Sequence, residues 1–225
     1  MHIPVIFEDS DILVIDKPSG IVVHPFDFSD EGTILDFLKE KYPNMFSIEN
    51  MITLQDGRII PLGGLIHKLD RDTSGVLIIA KHQHTFIELK SLFNQQLVAK
   101  TYLALVEGVL RDDSFRIDAP LGRSKKEYKQ STNPAKPRGE LREAITDVKV
   151  LKRDGATTLV ELSPRTGRTH QLRAHMASIG HPIVGDIAYG SIVKDSRIML
   201  HAKSLSFKWN GKVKTFESSP PKGFE

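Results

Sequence analysis

The sequence predicts an α+β fold built on a mixed, mainly antiparallel central sheet with flanking helices and loops. Three observations carry this: the apolar runs are short and numerous, few stretches repeat with helical spacing, and one long stretch is basic and rich in turn residues. A chain of 225 residues buries a core as one large domain or as two closely packed halves. Hydrophobic content of 40% and charged content of 26% are ordinary for a soluble globular protein. With no cysteine, a disulfide framework, a Cys zinc site and a thiol nucleophile are excluded, and a cytoplasmic location is expected. No apolar run approaches the ~18–20 residues of a membrane span, and MHIPVIFEDSD is not a signal peptide, so no membrane partner is expected.

In chain order, Val5 to Phe7 and Ile12 to Asp16 read as a hairpin around Glu8-Asp9-Ser10-Asp11. Lys17-Pro18-Ser19-Gly20 turns the chain into Ile21-Val22-Val23, a further strand. Thr33 N-caps a helix over Ile34 to Lys41 that Pro43 stops. From Asn44 to Gly64 the pattern predicts a loop with little regular structure. Val76 to Ala80 has the length and β-branching of a buried strand, and Gln83 to Gln96 the spacing of an amphipathic helix. Lys100 to Val106 alternates as a strand, with Tyr102 and Ala104 on one face and Leu103 and Leu105 on the other, one of them the core and Tyr102 on the second. Pro120 to Gly139, with three prolines, predicts a long basic loop. Ala144 to Val150 and Thr157 to Leu162 form a hairpin through Arg153-Asp154-Gly155. Thr169 N-caps a helix from Gln171 to Ile179 that Gly180 ends. HPIVGDIAYG (181–190) reads as a loop with an apolar heart. Ile198 to His201, Leu205 to Trp209 and Lys212 to Phe216 are strands, the last two joined at Asn210-Gly211, and SSPPKGFE is a frayed tail.

The stretch richest in chemistry is LIHKLDRDTSGVLIIAK, Leu65 to Lys81. Its ionic turn ends in Thr73-Ser74-Gly75 and feeds the strand, which places Asp70 on a strand-edge loop between Lys68 and Arg71. Cations on both sides hold a reactive acid ionised and aimed. The same residues also describe a solvated charged turn with a surface salt bridge, and spacing alone leaves both readings open. Tyr102 offers a flat ring on which a base can stack, or simply packs with its hydroxyl at the surface.

Charge is segregated. From Met1 to Asp36 eight acids stand against Lys17 alone, while from Leu121 to Arg153 ten Lys and Arg stand against four Asp and Glu. Such segregation points to a polyanionic partner, with a solvated basic loop as the alternative. In SPRTGRTHQLRAHM, Arg165, Arg168, His170 and Arg173 gather at a helix start with no acid among them. Positive charge there opposes the helix dipole unless an anion is present, which favours binding of phosphate or carboxylate over an ordinary surface helix. A metal reading is weak, because His170 and His175 are five apart without a carboxylate. There is no internal repeat, Walker loop, dinucleotide fingerprint or serine nucleophile elbow.

HKLDRDTSG resembles the HRLD-x-x-TSG motif of the RluA-type pseudouridine synthases. The resemblance continues along nearly the whole chain: EDSDILVIDKPSGIVVHP to the family's opening hairpin, KTYLALVEG to its tyrosine strand, GRTHQLRAHMASIGHPIVGDIAYG to its third motif and LHAKSLSF to its closing strand. It implies the pseudouridine synthase catalytic fold, one catalytic domain over residues 1–225, and an isomerase that detaches uracil from nitrogen 1 of a uridine in RNA, turns it and rejoins the ribose to carbon 5, with no cofactor and no metal. Asp70 matches the essential aspartate, which attacks either the ribose or the base. Tyr102 matches the residue that stacks on the base and is a candidate for the final proton abstraction, and Arg173 the arginine that pairs with the aspartate. Arg168 and His170 are assigned to the RNA backbone, and Arg165, Lys68 and Arg71 to RNA binding. Lys68 stands where many relatives carry an arginine that inserts into the RNA; lysine keeps the charge without the planar stacking surface. The resemblance leads one to expect a catalytic domain alone, without the small N-terminal RNA-binding domain that many relatives carry. Recognition then falls on the basic stretch Arg123 to Arg153, with Arg123, Lys125, Lys126 and Lys129 as phosphate contacts. The expected partner is a stem-loop of ribosomal or transfer RNA, and nothing demands more than a monomer. The alternatives are a catalytically silent RNA-binding protein and a small-molecule lyase or hydrolase using Asp70 and Arg173.

Overall fold

The computed structural model describes residues 1–25, 31–54, 56–124, 129–132, 137–193 and 195–224. The chain divides into two compact units, Met1–Val98 with Ser204–Ser218 and Ala99–Lys203 with Ser219–Glu225.

In the first unit, β1 (Val5–Glu8) and β2 (Ile12–Lys17) form the expected hairpin. Its turn is held by Asp9, whose Oδ1 accepts the N–H groups of Asp11 and Ile12 at 2.9 and 2.8 Å. Ile21–Val23 does not become the expected strand. The carbonyls of Val22 and Val23 instead accept the N–H groups of Ile34 and Leu35 at 3.0 and 2.9 Å, satisfying donors that the start of a helix leaves unpaired. That helix, α1 (Ile34–Lys41), is capped by Thr33 in a reciprocal box with Asp36 and buries Ile34, Leu35, Phe37 and Leu38. The segment expected to be irregular holds a 3-10 turn, Pro43–Ser47, and a small hairpin of β3 (Met51–Thr53) and β4 (Ile59–Pro61). Strands of three residues are too short for alternation to reveal. β5 (Ser74–Ala80) is buried throughout and pairs antiparallel with β2. It leads into α2 (Gln83–Asn94), which buries Phe86 and Leu89.

In the second unit, β6 (Ala99–Glu107), β7 (Ser114–Asp118), β11 (Ile145–Asp154) and β12 (Thr157–Pro164) lie in the order β6-β12-β11-β7, all antiparallel. The β11–β12 hairpin is longer than expected and closes where Asp154 faces Thr157, with Gly155 at φ +53° supplying the left-handed turn residue. Between β7 and β11, β8 (Leu121–Ser124), β9 (Gln130–Ser131) and β10 (Pro137–Arg142) make a separate three-stranded sheet. This corrects the expectation of a basic loop: the described parts of the stretch pair through backbone hydrogen bonds, which a run poor in apolar residues does not announce. β6 also departs from the reading of one buried face. Ala104 and Val106, on the face of Tyr102, are fully buried, and Leu103 on the other is buried too.

Helix α3 (Gln171–Ser178) begins after His170, which is left-handed at φ 52°, and no side chain caps it; Thr169 is not its N-cap. A buried polar ladder fixes it instead. Gln171 Nε2 donates to the Ile145 carbonyl and Thr146 Oγ1, and its Oε1 accepts from Thr166 Oγ1. One turn on, His175 bonds Thr146 Oγ1 and the Ala119 carbonyl, both at 2.9 Å. The two expected strands near the C-terminus are one, β13 (Leu200–Trp209), with Leu200–Lys203 in the second unit and Ser204–Trp209 in the first, where it pairs with β14 (Lys212–Glu217). The tail is not frayed, since Phe224 is buried in the second unit's core with Leu200, Met199 and Leu110.

The α1 cap gives a measurable contribution. Thr33→Ala removes the acceptor for the Asp36 N–H and is expected to lower stability by about 1 kcal/mol, read as a shifted urea midpoint with unchanged slope.

Candidate active site

Asp70 sits half-buried on a loop of the first unit between Leu69, which is buried, and Arg71, which is exposed. The loop has little secondary structure of its own, so its shape comes from tethers. The Thr73 N–H closes a tight turn on the Asp70 carbonyl at 3.2 Å. Lys17, fully buried, sends its ammonium to the carbonyls of Pro18, Ile21 and Arg71 at 2.9, 2.7 and 2.9 Å. The Gly20 N–H also donates to the Arg71 carbonyl, Ser19 Oγ to the Asp72 carbonyl, and Arg71 Nε back to the Gly20 carbonyl. At the other end, His67 Nε2 accepts the Ile78 N–H at 3.2 Å while its ring stacks on Phe93 at 4.7 Å. A carboxylate is thus presented on a short turn whose neighbours are strapped to two strands and the 18–21 segment. Lys68 is exposed beside it.

Tyr102 lies in the second unit, half-buried on β6 against the core. Arg173 projects from α3 and forms a two-pronged ion pair with Asp186, Nε to Oδ2 at 2.7 Å and Nη2 to Oδ1 at 2.9 Å. Asp186 is fully buried, and the Arg173 guanidinium also lies 4.9 Å over the Tyr189 ring. Tyr189 in turn bonds His170 Nδ1 at 3.0 Å and accepts the Gln130 N–H at 2.9 Å. The arginine cluster therefore has acids after all, supplied from distant sequence: Asp186 for Arg173, and Asp147 for Arg165 at 2.7 Å. Asp147 is shared with Arg116, and the hydrogen bond from Arg116 holds its carboxyl below the usual range, with Arg165 adding to it. Arg168 donates through Nε to the Glu143 carbonyl at 2.9 Å.

Of the other candidates, Arg123 is exposed on β8 and Lys129 is half-buried just before β9, whereas Lys125 and Lys126 lie outside the described residues. Asp70, Lys68 and Arg71 belong to the first unit; Tyr102, Arg173, Arg123, Lys129, Arg165, Arg168 and His170 belong to the second. Sequence reasoning missed Lys17, taken only as part of a turn, and Asp186, hidden in an apolar loop. A lysine at the end of an apolar strand was the available signal for the first. Among the described residues no group of three or more His, Asp or Glu is placed to hold a metal, and no helix is long and apolar enough to cross a membrane.

Residues 11–178 match the family model described as RNA pseudouridylate synthase. The chain belongs to that family. Ribosomal large subunit pseudouridine synthase D of Nitrosomonas europaea is 35% identical over 234 residues, covering 96% of this chain and 62% of that protein. The protein of the same name from Borreliella burgdorferi is 36% identical, covering 99% of this chain and 66% of its own length. The chain thus spans less than two thirds of the length of these two relatives. The solved structure of human RNA pseudouridylate synthase domain containing 1 superposes with a TM-score of 0.77 at 25% identity, over 97% of this chain and 83% of that one. A second human structure, domain containing 4, gives 0.75 at 23% and speaks to the fold alone.

His175 gives the second unit a pH dependence. Burial lowers its pKa below the ordinary value and outweighs the Ala119 hydrogen bond and the charge of Asp118, which act the other way. Above about pH 6.5 the ring is neutral whether folded or unfolded. Below it the unfolded chain gains a proton that the folded one resists, so stability falls as pH drops. Unfolding midpoints from pH 7.5 to 5 should decline, and His175→Gln should flatten that decline; an identical decline in the variant would contradict this role.

Proposed function

We propose that this protein is an RNA pseudouridine synthase acting on large-subunit ribosomal RNA, with Asp70 as the nucleophile. The observation that carries the reading is the tethered Asp70 turn, lying inside the stretch that matches the family model. The ribosomal substrate is favoured by the names of the relatives from Nitrosomonas and Borreliella. The target uridine must leave its stack to be reached. The bond between the ribose and nitrogen 1 breaks, the ribose joins carbon 5, and the hydrogen on carbon 5 departs as a proton. Asp70 carries the covalent step, Tyr102 holds the base on its ring and is the candidate acceptor of that proton, and Arg173 supplies fixed positive charge. Lys68 and Arg71 flank the nucleophile as phosphate contacts; Arg123, Lys129, Arg165, Arg168 and His170 extend the basic surface of the second unit.

Release of tritium from carbon 5 of uridine tests this, using labelled total RNA from a strain lacking the protein. Wild type is expected to release tritium and Asp70→Asn to bind the RNA with none released. Equal release by both would remove Asp70 from the chemistry. Binding without release by either would favour a silent RNA-binding protein.

A further inference from the structure

Lys100 opens β6 two residues before Tyr102, on the same face of the strand. Its ammonium is half-buried, and burial alone depresses its pKa. It makes no hydrogen bond or ion pair with any described residue. Five other cations of this unit are paired: Arg116 and Arg165 share Asp147, Arg173 has Asp186, Arg153 has Asp113 and Lys203 faces Glu161, whereas Arg111, Arg142, Lys149 and Lys152, which have no such partner among the described residues, are exposed to water as Lys100 is not. A Cβ built on Gly167 would lie 3.7 Å from Lys100 Nζ and, its two chain neighbours aside, within 4 Å of no other described atom. The ammonium therefore lies over the side-chain-free, exposed turn that precedes α3. A desolvated cation without a carboxylate costs stability, and an anion arriving over Gly167 would offset that cost.

We propose that Lys100, above the bare backbone of Gly167, binds the phosphate of the nucleotide whose base Tyr102 stacks. The inference rests on the RNA synthase reading and adds a specific contact to it. Two strand residues span roughly 6.6 Å, the order of the separation between a nucleotide's base and its own phosphate. A compact ammonium suits one phosphate oxygen rather than the flat edge of a base. Lys100 reads no sequence; it fixes the register of the extruded nucleotide on the tyrosine ring.

The test is binding of in-vitro-transcribed large-subunit ribosomal RNA across a salt series by wild type, Lys100→Met and Lys100→Arg, with thermal melting of each free protein. Lys100→Met should flatten the slope of log K against log salt by about 0.7–0.9, the share of one phosphate, and Lys100→Arg should restore it. Because methionine removes an unpartnered buried charge, the Lys100→Met melting midpoint should equal or exceed that of wild type. An unchanged slope for Lys100→Met would overturn the proposal, and a midpoint several degrees lower would overturn it in favour of a structural lysine. A flat salt profile for wild type itself would instead defeat the RNA reading, and this inference with it.

Discussion

The buried ammonium of Lys17, held by three backbone carbonyls, fixes the part of the first unit on which the candidate chemistry depends. A charge enters a protein interior at a cost of several kcal/mol unless its hydrogen-bonding capacity is filled, and here all three ammonium donors have acceptors. One of those acceptors, the Arg71 carbonyl, belongs to the residue directly after Asp70, and it also takes the Gly20 N–H. The lysine thereby joins β2, the 18–21 segment and the Asp70 turn into one structure. A loop with little secondary structure acquires the rigidity of the strands behind it, which is what a nucleophile needs to meet its target in one geometry. His67 completes the fixation from the other side by accepting a strand N–H.

The second unit uses a different device to the same end. Its helix α3 is short, has no side-chain cap and begins beside several cations, so propensity and dipole do little for it. Its position comes from buried polar groups whose hydrogen bonds are filled: Gln171 and His175 against Thr146, Thr166 and the Ala119 carbonyl, and Arg173 against Asp186. Satisfied networks of this kind are directional, and they set the helix in one register where apolar packing would tolerate several. Substituting Arg173 would also leave Asp186 buried without this partner, so activity lost in such a variant would report on folding as well as on chemistry.

Much of this was legible in the sequence. The β1–β2 hairpin, α1 with its Thr33 cap, the buried β5 and the amphipathic α2 follow from apolar spacing and turn residues, and five stretches in order point to the family. The misses share a cause. β8 to β10, and the Arg173–Asp186 and Arg165–Asp147 pairs, are made by residues distant in sequence and joined by polar bonds, which periodicity does not record. Ile21–Val23 looked like a strand because three apolar residues in a row do not reveal that their carbonyls will serve the first turn of α1. Of the candidate site, the surroundings of Asp70 and Tyr102 leave a functional and a structural reading open and only the family resemblance separates them, whereas Lys17 escapes notice because a lysine beside Pro-Ser-Gly reads as a surface turn.

The claim that a strapped turn aims the reactive carboxylate is tested most directly by tritium release from Lys17→Met, assayed at a temperature where its own unfolding curve shows it folded. Methionine keeps most of the unbranched chain and removes the donor. The account predicts turnover reduced by about a hundredfold with RNA affinity close to that of wild type. Turnover at the wild-type rate in a folded Lys17→Met protein would contradict it.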